Sequence, residues 1–415
     1  MKKSAEQIRE CVKAQIKERE IVLWGSCDDA TKDFYFKYKD RMRFRACVTE
    51  KKDSRGFLDD EQTVPILEWK DYESNGNDYI VVTGSPFVHI ENQLLAGGLH
   101  IFEEYIDADL LEVIISDKKV AIMAGNCQLI TLYELMKELK GFTDQYHFFR
   151  FSTHYWASKW SLKSLSYLKN LCDLYICTRH EEDDPKYFRR EELPVDCRVV
   201  VVPFAVIRLY WPQLKPNVKK AVNEFFVADK SYKQHGPFEY GDSNINQMIK
   251  EDKSIEEILA VLSDEDYYTQ EQVENHIDMV MRTLEYEETE SDIAIASYIR
   301  ENYQKRMLYK DMVHMQVDVA WEMVRRVLAY LGMDTTEAIE LSKDVNTKGY
   351  QEIAQHATEI PVYPSVAKHL GLEWCNKDTL YEVTFYNGTK KLTFEEYIRA
   401  YYSLCSKVKQ IQEEW

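Results

Sequence analysis

Positive charge is in short supply in this 415-residue chain, where 53 lysines and arginines face 71 acidic residues, for a formal charge of −18. No basic run or nucleic-acid motif interrupts that background, and a surface of this sign repels a phosphate backbone, so general nucleic-acid binding is excluded. Long apolar runs are missing as well. VVVVPFAVI at 199–207 falls far short of the roughly 20 residues that span a bilayer. The opening MKKSAEQIRECVKAQIKERE begins like a signal peptide but has no apolar centre, and reads as an amphipathic helix. The nine cysteines are odd in number, with no C-x-x-C and no spacing of a disulfide framework or zinc site. Scattered thiols of this kind fit a reducing compartment, so the expectation is a soluble, cytoplasmic protein with no metal. Of a G-x-G-x-x-G dinucleotide fingerprint only Gly25 remains, and Asp28 and Asp29 place negative charge where a pyrophosphate would lie. The G-x-S-x-G elbow of the α/β-hydrolases is absent too.

What is present suffices for packed cores: 45% of residues are hydrophobic and 13% aromatic, which rules out wholesale disorder. The length predicts roughly two to three structural units. Surplus acid gathers at 251–290, as on a solvated helical face. The richest stretch is KKVAIMAGNCQLITLYELMKEL at 118–139. It reads as a strand, a tight turn, and a helix with Leu129, Leu132, Leu135 and Met136 on one stripe. Such a turn sets Cys127, Asn126 and Gln128 beside the unpaired N–H groups that open a helix, where oxyanions are stabilised and thiols activated. The plainer alternative makes Gly125 a turn residue, Asn126 a helix cap and Cys127 a small buried hydrophobe. EIVLWGSCDDA at 20–30 repeats the logic with Gly25, Ser26 and Cys27.

Strands and helices alternate at βαβ spacing through 44–50, 64–72 and 79–85, and again through 142–153, 173–180 and 197–206. Helical periodicity dominates from about residue 217 to Gly332, and a hairpin turning at Asn387-Gly388 precedes a terminal helix. The expected class is α/β, with two Rossmann-like parallel-sheet units, the second bearing a helical extension, and a small α+β tail. The corresponding boundaries are 1–115, 118–333 and 334–415. No repeat of fixed period is present.

Several segments, in order, resemble the WcbI-type polysaccharide biosynthesis family over about 118–333. They are GNCQ at 125–128, VVPFAVIRLYWPQL at 201–214, YGDSNINQMIKEDKSIEEILAVL at 240–262, and the stretch from SDIAIASYIRENYQ to Gly332. Where the family has Asn-His-Pro, this chain has Val313-His314-Met315, so the histidine is retained in a changed loop. The resemblance implies an acyl transferase, with coenzyme A or acetyl-CoA as co-substrate and a surface or capsular polysaccharide, or its sugar precursor, as acceptor. It likens residues 1–115 to the Rossmann-like domain that precedes sugar-modifying acyltransferases. The partners implied are a small-molecule thioester and a glycan, and homo-oligomerisation is left open.

Acyl transfer from a thioester needs a nucleophile or base, oxyanion donors and contacts for the carrier's phosphates. Cys127 is the candidate nucleophile or a lining of the thioester pocket, and His314 the candidate base. Asn126 and Gln128, with the turn at Gly125, are candidate oxyanion donors. His180, at a strand end, joins them, with His154 a weaker alternative. Asp242 and Asn244 would orient a histidine or bind sugar hydroxyls, unless they serve as a helix cap. Arg179, Arg208 and Arg306 are the candidate phosphate ligands, with Arg300 and Lys305 nearby. Tyr155, Trp156, Trp160, Tyr210 and Trp211 would stack on adenine or sugar, or pack the core. Two rivals stand beside acyl transfer: an esterase-like hydrolase of an acylated glycan, and a non-catalytic scaffold. The site is expected at the carboxyl edge of a parallel sheet, with Cys127 and His314 within hydrogen-bond reach or one bridging water of a shared pocket.

Overall fold

The computed structural model describes residues 5–50, 56–83, 87–152, 162–179, 190–204, 206–215, 223–227, 238–344, 357–385 and 388–413. The chain divides into two compact units. One comprises Met1–Ala124, Phe142–Ile176 and Glu182–Val199, the other Gly125–Gly141, Cys177–Glu181 and Val200–Trp415.

In the first unit, apolar runs of four or five residues form central strands because both of their faces are covered. The strands of this sheet are β1 (Glu20–Trp24), β2 (Phe44–Thr49), β3 (Gly56–Phe57), β4 (Pro65–Glu68), β5 (Asp78–Val82) and β6 (Tyr105–Asp107), with β3 and β6 short and at the two edges. They assemble in the order β3-β4-β2-β1-β5-β6. The β1–β2, β1–β5, β2–β4 and β5–β6 pairs are parallel, and β3 is an antiparallel edge strand. Leu23 lies opposite Cys47 on one side and Val81 on the other. Setting β3 aside, the strand order reverses direction between β1 and β5, as in doubly wound dinucleotide folds. Helices α1 (Asp29–Tyr38) and α2 (Phe87–Ala96) belong to the crossovers. The second sheet runs β10-β9-β7-β8, with β7 at Lys119–Gly125, β8 at Tyr146–Ser152, β9 at Cys172–Thr178 and β10 at Arg198–Val202. The molecule is therefore α/β with Rossmann-like parallel sheets, as its strand spacing predicts.

The second unit opens with α3 (Cys127–Met136) and continues as helices: α4 (Ser243–Lys250), α5 (Gln270–Glu288) and α6 (Val317–Leu331). Helix α6 packs on α3 and buries Val319, Ala320, Trp321, Met323, Val324, Val327 and Leu328. Trp321 is wholly inaccessible, so its truncation to alanine should cost about 3–5 kcal/mol. Gly332 ends the helix at φ 74, a left-handed cap open to glycine at little cost.

Helix α7 (Pro364–Leu370), the antiparallel hairpin of β11 (Tyr381–Phe385) and β12 (Gly388–Leu392), and α8 (Phe394–Glu413) complete the unit. Asn387 of the expected turn lies outside the described residues. The terminal helix is part of the core, with Tyr401 and Cys405 fully buried. The Tyr401 hydroxyl donates to Asn246 Oδ1 (2.7 Å) and accepts from the Asp242 backbone N–H and the Asn223 side chain (3.0 Å each). No helix among the described residues is long and apolar enough to cross a membrane.

Candidate active site

Strand β7 ends at Gly125, whose φ of +152° lies where side chains are rarely tolerated. A Cβ there would sit 2.5 Å from Leu129 Cδ1, so two separate constraints demand glycine. Asn126 follows in extended conformation and caps α3, its Oδ1 accepting the Gln128 backbone N–H at 3.0 Å. Cys127 is the first helical residue and is half-buried. The cap thus places the thiol in the first turn, inside the field of the helix N-terminus.

The opposing loop is equally specified. An isolated antiparallel bridge joins Tyr309 to Met315, and Lys310 N–H donates to the His314 carbonyl at 2.8 Å. Buried Asp311 organises the loop from within. Its Oδ1 accepts the Val313 and His314 backbone N–H groups at 2.7 and 2.8 Å, and its Oδ2 meets His314 Nδ1 at 2.7 Å. Three other segments anchor the same loop. Ile207 N–H donates to the Met312 carbonyl, Ile360 N–H to the Lys310 carbonyl (2.8 Å each), and Gln128 Nε2 to the Val313 carbonyl (2.9 Å). The last bond matters most, because it ties the neighbour of Cys127 to the neighbour of His314.

Cys127 lies beside His314, close enough for the thiol to act on the imidazole. With Nδ1 committed to Asp311, Nε2 is the ring nitrogen left for the thiol. Burial works against an imidazolium here, but the Asp311 charge, the Asp311 hydrogen bond and the contact with Cys127 outweigh it, holding His314 well above its ordinary value. The imidazole nonetheless keeps 29% of its side-chain surface exposed, enough to be reached from outside. Tyr240 completes the surroundings: burial, then the negative charges of Asp311 and Glu239 and the proximity of Cys127, push its hydroxyl far up, so it remains a neutral donor.

The other expected site residues fall elsewhere. The Gln128 side chain is engaged by Val313, so it positions the loop. Asp242 is a cap: its Oδ1 accepts the Asn244 and Ile245 N–H groups at 3.0 Å, while Oδ2 accepts from Tyr363 at 2.7 Å. Burial raises this carboxyl to about 6, against the pull of those hydrogen bonds. Asn244 donates to the Tyr268 hydroxyl. Arg179 pairs with Glu287 (3.3 Å) and Glu290 (2.5 Å) and lies over the Tyr286 ring. Arg208 donates to the Leu214 carbonyl. Arg306 meets Asp318 at 3.0 Å and Asn302 at 3.0 Å, and Arg300 meets Glu285. Tyr210 and Trp211 are core residues with no exposed surface. His180, His154, Tyr155, Trp156 and Trp160 lie outside the described residues. Sequence reasoning missed Asp311 and Tyr240. The three-residue step from Asp311 to His314 was the available signal, but such a step is common and its meaning depends on the bridge that folds the loop. Among the described residues, no histidine, cysteine and carboxylate side chains gather into a metal-binding cluster.

Fold and site together define an α/β protein with a thiol, imidazole and carboxylate in a row at the end of a strand. Residues 120–336, just over half of the chain, match the family model described as polysaccharide biosynthesis enzyme WcbI. The chain belongs to that family of polysaccharide biosynthesis enzymes. Among solved structures it is similar to WcbI, described as a novel polysaccharide biosynthesis enzyme, in a native form without a disulfide bond between coenzyme A and one of its cysteines. That similarity has a TM-score of 0.55 at 17% identity, over 70% of this chain and 91% of the other, and it shows a shared fold. No curated protein matches the chain.

Proposed function

We propose that this chain transfers an acyl group, acetyl in the simplest case, from a coenzyme A thioester to a hydroxyl of a surface or capsular polysaccharide or its sugar precursor. The observation that carries the reading is the row Cys127–His314–Asp311. The similar WcbI structure is described as lacking a disulfide bond between coenzyme A and one of its cysteines, and that mention of the two together supports placing a thioester next to Cys127. Coenzyme A, when bound, supplies the acyl group in activated form.

Each residue then has a distinct task. Asp311 fixes the His314 ring and its tautomer through Nδ1. Paired with an imidazolium, Cys127 attacks the carbonyl as a thiolate, and donors of the first turn of α3 face the oxyanion. His314 gives its proton to the departing thiolate, leaving the acyl group on Cys127 Sγ. The same imidazole then takes the proton of the acceptor hydroxyl as that oxygen attacks, and an ester forms while the Cys127 thiolate is released. Tyr240, a neutral hydroxyl in the surroundings of Cys127, would donate to a sugar or carbonyl oxygen. The half-buried thiol and reachable imidazole fit the thioester end of coenzyme A. Arg179, Arg208 and Arg306 would have to give up internal partners to bind its phosphates.

The test is acetyl-CoA consumption by the full chain, with and without a panel of glycosides. Acetyl transfer that needs acceptor, Cys127 and His314 supports the proposal. Thioester hydrolysis indifferent to glycosides would favour the hydrolase. A folded protein that does not bind coenzyme A calorimetrically would overturn acyl transfer in favour of a scaffold.

A further inference from the structure

The Gly25-Ser26-Cys27 turn takes no part in the chemistry above, yet it holds a close pair of thiols. Strands β1 and β2 are parallel neighbours with Leu23 opposite Cys47. At the end of β1 the backbone turns at Cys27, φ 52, and the Cys27 sulfur comes within 2.8 Å of Cys47 Sγ. Both are free thiols, Cys47 fully buried and Cys27 half-buried. The other such pair among the described residues, Cys197 and Cys172, is 3.6 Å apart, and Cys172 Sγ also donates to the Leu174 carbonyl.

The surroundings assign different jobs to the two sulfurs. The Cys47 hydrogen bond, and after it that of Thr49, hold the Cys27 thiol below its ordinary value, against partial burial and the charge of Asp28. The same contact and burial push Cys47 up. One sulfur is therefore reachable and ready to attack, while the other is sheltered and placed to resolve. The turn sits where the strand order reverses between β1 and β5, at the carboxyl edge that such sheets use for ligands. Hydroxyls of Thr31 and Thr83 bond to each other at 2.9 Å beside it.

We propose that Cys27 and Cys47 form a thiol–disulfide exchange site that reduces a low-molecular-weight disulfide. The Cys27 thiolate attacks one sulfur of the incoming disulfide; the S–S bond breaks, and its second sulfur leaves as a thiolate that takes up a proton. Cys47, losing its proton to solvent, then attacks the Cys27 sulfur. A Cys27–Cys47 disulfide forms and the second small thiol is released. Two electrons pass from the protein dithiol to the small disulfide. This activity is independent of acyl transfer at Cys127.

The experiment uses the reduced full chain and oxidised glutathione as probe, with acid quenching, alkylation and peptide mapping by mass spectrometry. The expected product is a Cys27–Cys47 cross-linked peptide, with loss of two thiols reversed by dithiothreitol. Cys47→Ala should stop the reaction at a glutathione adduct on Cys27. Cys27→Ser should slow thiol loss from the pair at least about tenfold. Circular dichroism establishes that each variant folds, and Cys27→Ser, at the half-buried member of the pair, serves should Cys47→Ala fail to. The proposal is overturned if the wild type forms no 27–47 cross-link. It is equally overturned if glutathione enters Cys127 or the Cys172–Cys197 pair while Cys27 stays free, or if Cys27→Ser leaves the rate unchanged.

Discussion

Two turns of this chain share a pattern of strand, glycine, polar residue, cysteine and helix, yet the structure gives their cysteines different neighbours. At 125–127 the glycine takes the left-handed backbone, Asn126 is the cap, and Cys127 stands inside the first helical turn. At 25–27 Cys27 itself takes the left-handed backbone and Asp28 is the cap, accepting Thr31 N–H at 3.1 Å. The second cysteine therefore stands before the cap and outside the helix. One residue of offset decides the partner. Cys127 faces an imidazole held by a carboxylate, whereas Cys27 folds back over its own sheet onto a neighbouring strand's thiol. The caps differ in the same sense: Asp28 is exposed, while Asn126 keeps only 6% of its surface, and a neutral amide spares the buried turn an uncompensated charge.

The largest test of this contrast is His314→Ala. If Cys127 owes its reactivity to the imidazole, transfer from acetyl-CoA should fall by about 10²- to 10⁴-fold, with circular dichroism and coenzyme A affinity preserved. Turnover within a factor of about three of wild type would remove His314 from the chemistry.

Gly125→Ala comes next. A left-handed φ and the contact with Leu129 should together cost about 1–3 kcal/mol of stability, measured by denaturant unfolding, and displace Cys127 enough to lower turnover. An unchanged midpoint would mean that the turn relaxes freely.

Asp311→Asn probes the imidazolium, since the amide oxygen can still accept the two loop N–H groups. The folded protein holds the His314 proton well above the value of about 6.5 expected for the unfolded chain. Its stabilisation is therefore complete below about pH 6.5 and is lost as pH rises through the folded-state value. The melting-temperature gap between wild type and variant should be widest near about pH 6 and narrow at alkaline pH, with turnover down roughly tenfold or more. A gap independent of pH would reduce Asp311 to a loop acceptor.

The smallest expected effect is an exchange of caps. Asn126→Asp sets a buried negative charge beside Cys127 and should slow its alkylation by iodoacetamide about three- to tenfold. Asp28→Asn removes a charge that opposes the Cys27 thiolate and should speed alkylation there about twofold. Equal responses at the two turns would show that the offset has no chemical consequence.

Much of this architecture was legible in the residue order. Strands such as YIVVT and KVAIMAG announce themselves because parallel strands are covered on both faces, and Gly125, Asn126 and Gly332 act through backbone conformations local to them. The pairing of Cys127 with His314 was approached only through the order of segments that resemble a family. The arginines were misleading for a physical reason: a guanidinium seeks any acidic partner within reach. Arg179 found Glu287 on α5 and Glu290 just beyond it, more than 100 positions away in sequence, and Arg306 found Asp318. Sequence spacing carries no information about such encounters.

By itself the sequence determined the α/β class, the two strand–turn–helix motifs, the caps and the placing of a thiol at a helix start, all set by interactions spanning a few residues. Only the tertiary structure decided which thiol met the imidazole. Asp311 folds the 309–315 loop, and Gln128 holds that loop to the turn across 185 positions through the Val313 carbonyl. Bonds of that reach arise from packing, because they exist only after the elements carrying both partners have buried their apolar faces.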